Sequence, residues 1–160
     1  MPDDRAPVLT GGCQCGAVRY ALYAEPDYAS ICHCRMCQKA FGSYFGPFTS
    51  VPSEDFAWTR GAPAWFRSSE AAQRGFCAAC GTPLAFQEIG DKVEVSLGSL
   101  DEPGRVLPTR QIGLEGRVPF FAALAALPEK ALNEGKPGEA IARLATRQHP
   151  DQDTESWPPI

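Results

Sequence analysis

Histidine is scarce, with only His33 and His149 in 160 residues, and the scarcity narrows the chemistry. A serine or cysteine nucleophile needs a paired base, and neither histidine stands in a triad-like arrangement. Long apolar runs are missing as well. Nothing approaches the roughly 20 consecutive apolar residues of a membrane span, and the N-terminal stretch MPDDRAPV lacks the basic and apolar regions of a signal peptide. The expectation is a cytoplasmic protein with no membrane partner. No segment concentrates Lys and Arg, and the formal net charge is −4 before any thiol ionises, which makes nucleic acid a poor partner. Internal repeats and low-complexity tracts are absent.

What is present is an ordinary globular composition, 44% hydrophobic and 21% charged, enough for one core. The 15 Gly and 15 Pro are scattered between apolar runs, which suits short strands joined by many turns. The most informative residues are seven cysteines in three local groups: Cys13-x-Cys15, Cys32-x-Cys34-x-x-Cys37 and Cys77-x-x-Cys80. An odd number cannot pair completely into disulfides, and a reducing compartment disfavours structural ones.

Residues i and i+2 of an extended segment face the same way, so Cys-x-Cys presents two sulfurs side by side. Cys-x-x-Cys belongs to a tight turn whose sulfurs converge on one ion, with Gly81 supplying backbone freedom. Soft thiolates favour zinc over magnesium or calcium; iron is the alternative, since thiolates also hold iron clusters. Cys32, Cys34 and Cys37 can hold one ion by themselves, which leaves Cys13, Cys15, Cys77 and Cys80 as a closed set of four. Two Zn2+ per chain are expected. The four-sulfur ion would close a long loop and contribute to folding. A three-ligand zinc keeps a position open, so the trio reads as the reactive centre. The competing reading is a second structural zinc completed by His33, His149 or an acidic residue. If the segment is extended, His33 alternates with Cys32 and Cys34 and points away from their ion.

Three stretches carry a resemblance: Gly12-Cys13-Gln14-Cys15-Gly16-Ala17-Val18-Arg19-Tyr20, then Cys32-His33-Cys34-Arg35-Met36-Cys37-Gln38-Lys39, then Phe76-Cys77-Ala78-Ala79-Cys80-Gly81-Thr82-Pro83-Leu84. In this order they resemble the glutathione-dependent formaldehyde-activating family, over about residues 11 to 121. Weaker echoes are Trp58-Thr59-Arg60-Gly61 and Ser96-Leu97-Gly98-Ser99-Leu100-Asp101. The resemblance implies a mainly β, Mss4-like fold with zinc-ribbon knuckles. It implies a structural zinc on Cys13, Cys15, Cys77 and Cys80, a catalytic zinc on Cys32, Cys34 and Cys37, and a carbon-sulfur lyase activity that makes S-hydroxymethylglutathione. Glutathione carries carboxylates, so Arg35 and Lys39 are candidate substrate-binding cations, and Phe45 and Phe48 candidate pocket walls. Three thiolates around zinc make a weak Lewis acid, which favours thiolate exchange over hydrolysis. The chain departs from the family at Gln111, where members often read His. The rival class is a noncatalytic binding or chaperone-like module on the same fold.

Alternation predicts strands over 17–24, 45–51, 64–67, 84–87, 93–97 and 109–114, with Tyr28 to Ile31 leading into the trio. The run Arg35 to Phe41, free of Gly and Pro and closed by Gly42, predicts a short helix. An antiparallel β architecture follows, as one domain over 1–147. Beyond about 122 the extension carries helical patterns at Phe121 to Leu127 and Glu139 to Arg147. Residues 148–160 read as a flexible tail.

Overall fold

Short apolar runs separated by Gly, Pro and Asp fold into ten strands in two sheets in the computed structural model, which describes residues 5–156. The smaller sheet contains β1 (Leu9–Gly12), β2 (Arg19–Leu22) and β5 (Phe56–Arg60), antiparallel in the order β1-β2-β5. The larger contains β3 (Tyr28–Cys32), β4 (Gly46–Pro52), β6 (Ala64–Arg67), β7 (Ala72–Phe76), β8 (Pro83–Glu88), β9 (Lys92–Ser96) and β10 (Arg110–Ile112). Its order is β10-β3-β4-β9-β8-β7-β6. The fold is thus mainly β, with cysteine knuckles and few short helices.

The wholly antiparallel expectation needs one correction: β10 pairs parallel to β3, setting Arg110 opposite Ser30 and Ile112 opposite Cys32. A parallel neighbour requires a long crossover, and the chain from β3 to β10 supplies it by building the rest of the sheet first. β1, β5 and β7 carry no strand pattern in the sequence. β1 reads Leu-Thr-Gly-Gly and β7 reads Ala-Gln-Arg-Gly-Phe, both too polar or glycine-rich to alternate. Pairing with β2 and β8 creates them.

α1 (Arg35–Phe41) forms where expected. Cys34 takes the N-cap position, its sulfur accepting from the Cys37 N–H at 3.4 Å. Gly42 closes the helix in the left-handed region, its N–H donating to Gln38 O. In the extension, Phe121–Ala126 forms two turns of 3-10 helix, and α2 (Gly138–Ala142) is shorter than the pattern predicts. None of the helices among the described residues is long and apolar enough to cross a membrane.

The main core packs β1, β2, β4, β8 and β9 around Tyr20, Leu22, Val51, Leu84 and Val95, each at most 1% exposed. Tyr20 bonds Ser99 through its hydroxyl at 2.8 Å and meets Phe56 and Trp58 ring against ring; its burial pushes the phenol pKa upward. Every residue of β2 is buried, so the face alternate to Tyr20 is covered too. There Arg19 holds Asp101 through two hydrogen bonds, at 2.8 and 2.5 Å, and Asp153 at 2.8 Å.

Asp153 belongs to the stretch read from sequence as a tail. Residues 148–156 lie across β2 and β5. The His149 N–H donates to Gln14 O at 2.8 Å, and the His149 ring is buried with Nε2 3.0 Å from Thr154 Oγ1. Arg60 reaches the Thr154 carbonyl and hydroxyl. Trp157 lies outside the described residues.

Candidate metal centre

The loop after β1 and the turn after β7 bring Cys13, Cys15, Cys77 and Cys80 together, each sulfur within 4.8 Å of the others. A tetrahedral ion with metal–sulfur bonds of about 2.3 Å sets its sulfurs about 3.8 Å apart. The separations are 3.6 Å for Cys13 to Cys15 and 3.8 Å for Cys15 to Cys77. These are too long for disulfide bonds, at about 2.05 Å, and right for ligands of one ion. Gly81 stands at φ 78°, the left-handed conformation that lets the knuckle turn, and its N–H donates to Cys77 O at 2.8 Å.

Cys15 and Cys80 differ in the absence of an ion. Burial pushes Cys15 up to about 12. Burial raises Cys80 as well, but the Thr82 hydroxyl at 3.2 Å and the N–H groups of Thr82 and Cys15 outweigh it and bring it down to about 6. The Cys80 sulfur is ready as a thiolate, and Cys15 holds its proton until a cation displaces it. The donor set fits zinc.

Cys32, Cys34 and Cys37 form the second group, also within 4.8 Å of one another. Cys32 ends β3, Cys34 caps α1 and Cys37 lies in its first turn, so one short segment delivers all three sulfurs. No His, Asp, Glu or further Cys among the described residues joins them. His33 is fully buried with its ring turned to Gln111, Nε2 lying 3.0 Å from Oε1, and edge-on to Phe45 and Phe121. His149 sits beside Arg60 instead. Neither histidine completes the trio.

What holds the trio is a buried amide. Gln38 donates through Nε2 to His33 O at 2.9 Å and to Gly116 O at 2.7 Å, and its Oε1 accepts from Arg35 at 3.0 Å. The His33 N–H donates to Ile112 O at 2.9 Å. Gly113, at φ 64°, lies so close that a Cβ there would stand 2.7 Å from Cys34 N. The segment 110–116 therefore backs the cysteine loop directly. Gln38→Ala is expected to cost about 1–3 kcal/mol, because two buried carbonyls lose their donor. A cobalt-loaded chain should show altered visible bands at the trio, whereas unchanged bands would show that the amide does not shape it.

Arg74, on β7, carries no sequence signal, yet it donates to Cys37 Sγ at 3.5 Å and stacks on Phe86 at 4.8 Å. Phe41, Phe48 and Phe86 pack against Cys32 and Cys37. Burial pushes Cys37 up to about 12, with Arg74 opposing. Burial acts upward on Cys34 too, but the N–H groups of Cys37 and Met36 hold it below its ordinary value. Among the expected substrate residues, Arg35 and Lys39 line an exposed cleft with Met36, Phe66 and Arg74. Phe48 walls a neighbouring cleft, while Phe45 packs on His33 and Phe121 instead.

Comparison with known proteins gives the fold and the family. The fold is similar to that of a Rhodobacter sphaeroides protein of known crystal structure, with a TM-score of 0.53 and 22% identity over 64% of this chain and 98% of that one. A Schizosaccharomyces pombe protein named as an uncharacterized lyase is 31% identical over 80 residues. That match spans 50% of this chain and 58% of the yeast protein, so the chain covers little more than half of its relative's length. Residues 8–115 match the model of the glutathione-dependent formaldehyde-activating enzyme family, a stretch that contains both cysteine sets, and the chain belongs to that family.

Proposed function

We propose that this chain is a carbon-sulfur lyase that joins a small thiol to an aldehyde, with glutathione and formaldehyde as the pair that family membership favours. The observation carrying the reading is the trio itself, three converging sulfurs with no fourth ligand from the described residues. Cys13, Cys15, Cys77 and Cys80 would hold a structural zinc, and Cys32, Cys34 and Cys37 a catalytic one. Zinc on three thiolates would supply a coordination position open to a ligand from outside the chain and would stabilise a developing anion there. The yeast relative's designation as a lyase supports the same class.

The reaction makes one carbon-sulfur bond. The thiol sulfur attacks the carbonyl carbon, the carbonyl π electrons move to oxygen, and the proton from sulfur ends on that oxygen; the reverse reaction cleaves the adduct. The chain's part is positioning. Gln38 and the segment 110–116 fix the cysteine loop, and Phe41, Phe48 and Phe86 shield the Cys32 and Cys37 sulfurs from water. Arg74 places a cation beside Cys37, where it favours negative charge. Arg35 and Lys39, at the rim of the same region, suit the carboxylates of glutathione.

Exchange NMR on a mixture of formaldehyde and glutathione tests this. The zinc-loaded chain should accelerate exchange between free and adduct thiol, and both Cys34→Ser and a metal-free preparation should lose the acceleration. Folded, zinc-loaded protein that leaves the exchange rate at its uncatalysed value would exclude this substrate pair and favour a zinc-stabilised binding module.

A further inference from the structure

Formaldehyde is close in size to a water molecule, whose share of liquid volume is about 30 Å³. The cleft next to the trio is far larger. It has a volume of about 340 Å³ and lies between α1 and strands β4, β6, β7 and β8. Phe41, Phe48, Phe66, Phe76, Pro83 and Ala85 wall it. About 150 Å³ is enough to hold a benzene ring, so the space admits a ring together with the chain that carries it.

Its position ties it to the sulfurs. Phe41 and Phe48 touch the cysteine trio on one side and line the cleft on the other. Arg74 lines it and also donates to Cys37. Among the described residues no carboxylate forms an ion pair with Arg74, and Glu94 feels its charge only from further off, so the cation is only partly offset where it meets the cleft and the trio. Ser96, only 3% exposed, belongs to the lining as well, and its hydroxyl has no hydrogen-bond partner. That oxygen is enclosed, so apart from Arg74 the face the cleft presents is apolar.

We infer that this cleft selects the carbonyl half of the adduct, and that the chain prefers an aldehyde bearing an aromatic or bulky apolar substituent over formaldehyde. The inference rests on the lyase reading. The thiol half, peptide-like and anionic, meets Arg35 and Lys39 in the adjoining cleft, which shares Ala40, Phe66 and Arg74 with this one. The bond changes stay the same whichever aldehyde enters: sulfur to carbon forms, the carbonyl π bond is lost, and the thiol proton passes to oxygen. Only the substituent on carbon differs, and it occupies the space between Phe48 and Phe66.

Equilibrium binding separates this inference from the activity. S-benzylglutathione and S-methylglutathione, stable thioethers that mimic a large and a small adduct, would be titrated into the zinc-loaded chain by calorimetry. The benzyl compound should bind at least about tenfold more tightly, as burying a ring on apolar walls predicts. Ala40→Phe, which fills the cleft from α1, should bring the ratio close to one. Phe66→Ala should lower it too, and because Phe66 is 61% exposed on an edge strand this variant carries little folding risk. Equal affinities in the wild type would overturn the inference, as would a preference that survives both substitutions. Either result can coexist with accelerated formaldehyde exchange, which would leave the lyase reading intact. A chain that neither accelerates exchange nor distinguishes the two thioethers would overturn both.

Discussion

Cys77→Ser is expected to leave the chain unfolded at room temperature, with a collapsed amide NMR spectrum and little bound metal. Cys77 is 1% exposed and lies against the main core, and a metal bound to the four sulfurs would join the loop after β1 to the turn after β7. Sites of this type contribute an apparent free energy of about 10–16 kcal/mol near neutral pH, as large as the whole stability of a typical domain, about 5–15 kcal/mol. Acid should act in the same direction. Metal-bound sulfurs carry no proton, whereas free cysteine thiols do below about pH 8.5, so each unit of falling pH favours the unfolded, protonated chain. Circular dichroism against pH, read beside zinc released to a chromophoric chelator, checks both expectations. A folded Cys77→Ser chain that has lost one zinc would show that strand pairing alone suffices.

The second large effect is expected at Arg19. Its guanidinium holds both oxygens of Asp101 with the two side chains 3% and 8% exposed. Asp101 also accepts from Thr10 at 2.5 Å, so the pair ties β2 to β1 and to the turn after β9. Removing one member of a buried pair strands the other's charge, and Arg19→Ala should cost about 3–5 kcal/mol. Asp153, whose side chain is 50% exposed, is screened by water, so Asp153→Asn should cost less than about 1 kcal/mol. Urea denaturation of the zinc-loaded variants measures the difference. Equal losses would mean that the 148–156 segment, rather than Asp101, anchors Arg19.

The cysteine sets were legible in the sequence because ligand spacing is a local property. Two residues apart on an extended segment, or three apart in a tight turn, sulfurs face one point wherever the rest of the chain goes. The α1 helix was legible for the same reason, since Cys34, the uninterrupted run to Phe41 and Gly42 are consecutive. What remained hidden depends on distant pairing. Arg74 reads as a solvated charge in a polar stretch until β8 and β9 draw β7 into the large sheet and bring it to Cys37. Arg19 reads as the outward residue of an alternating strand, because Asp101 and Asp153 stand far along the chain. The parallel placement of β10 left no trace in composition, since Arg-Gln-Ile would suit either direction.

The crossover from β3 to β10 also orders events during synthesis. The three sulfurs of the trio leave the ribosome within six residues of one another, and the four-sulfur set is complete once Cys80 has followed. Gly113 and Gly116, which press on the Cys34 and His33 backbone, emerge only later. Should the four-sulfur set bind an ion, the nascent chain can capture it while the loop of Cys32, Cys34 and Cys37 still lacks its backing, and that loop takes its final shape last.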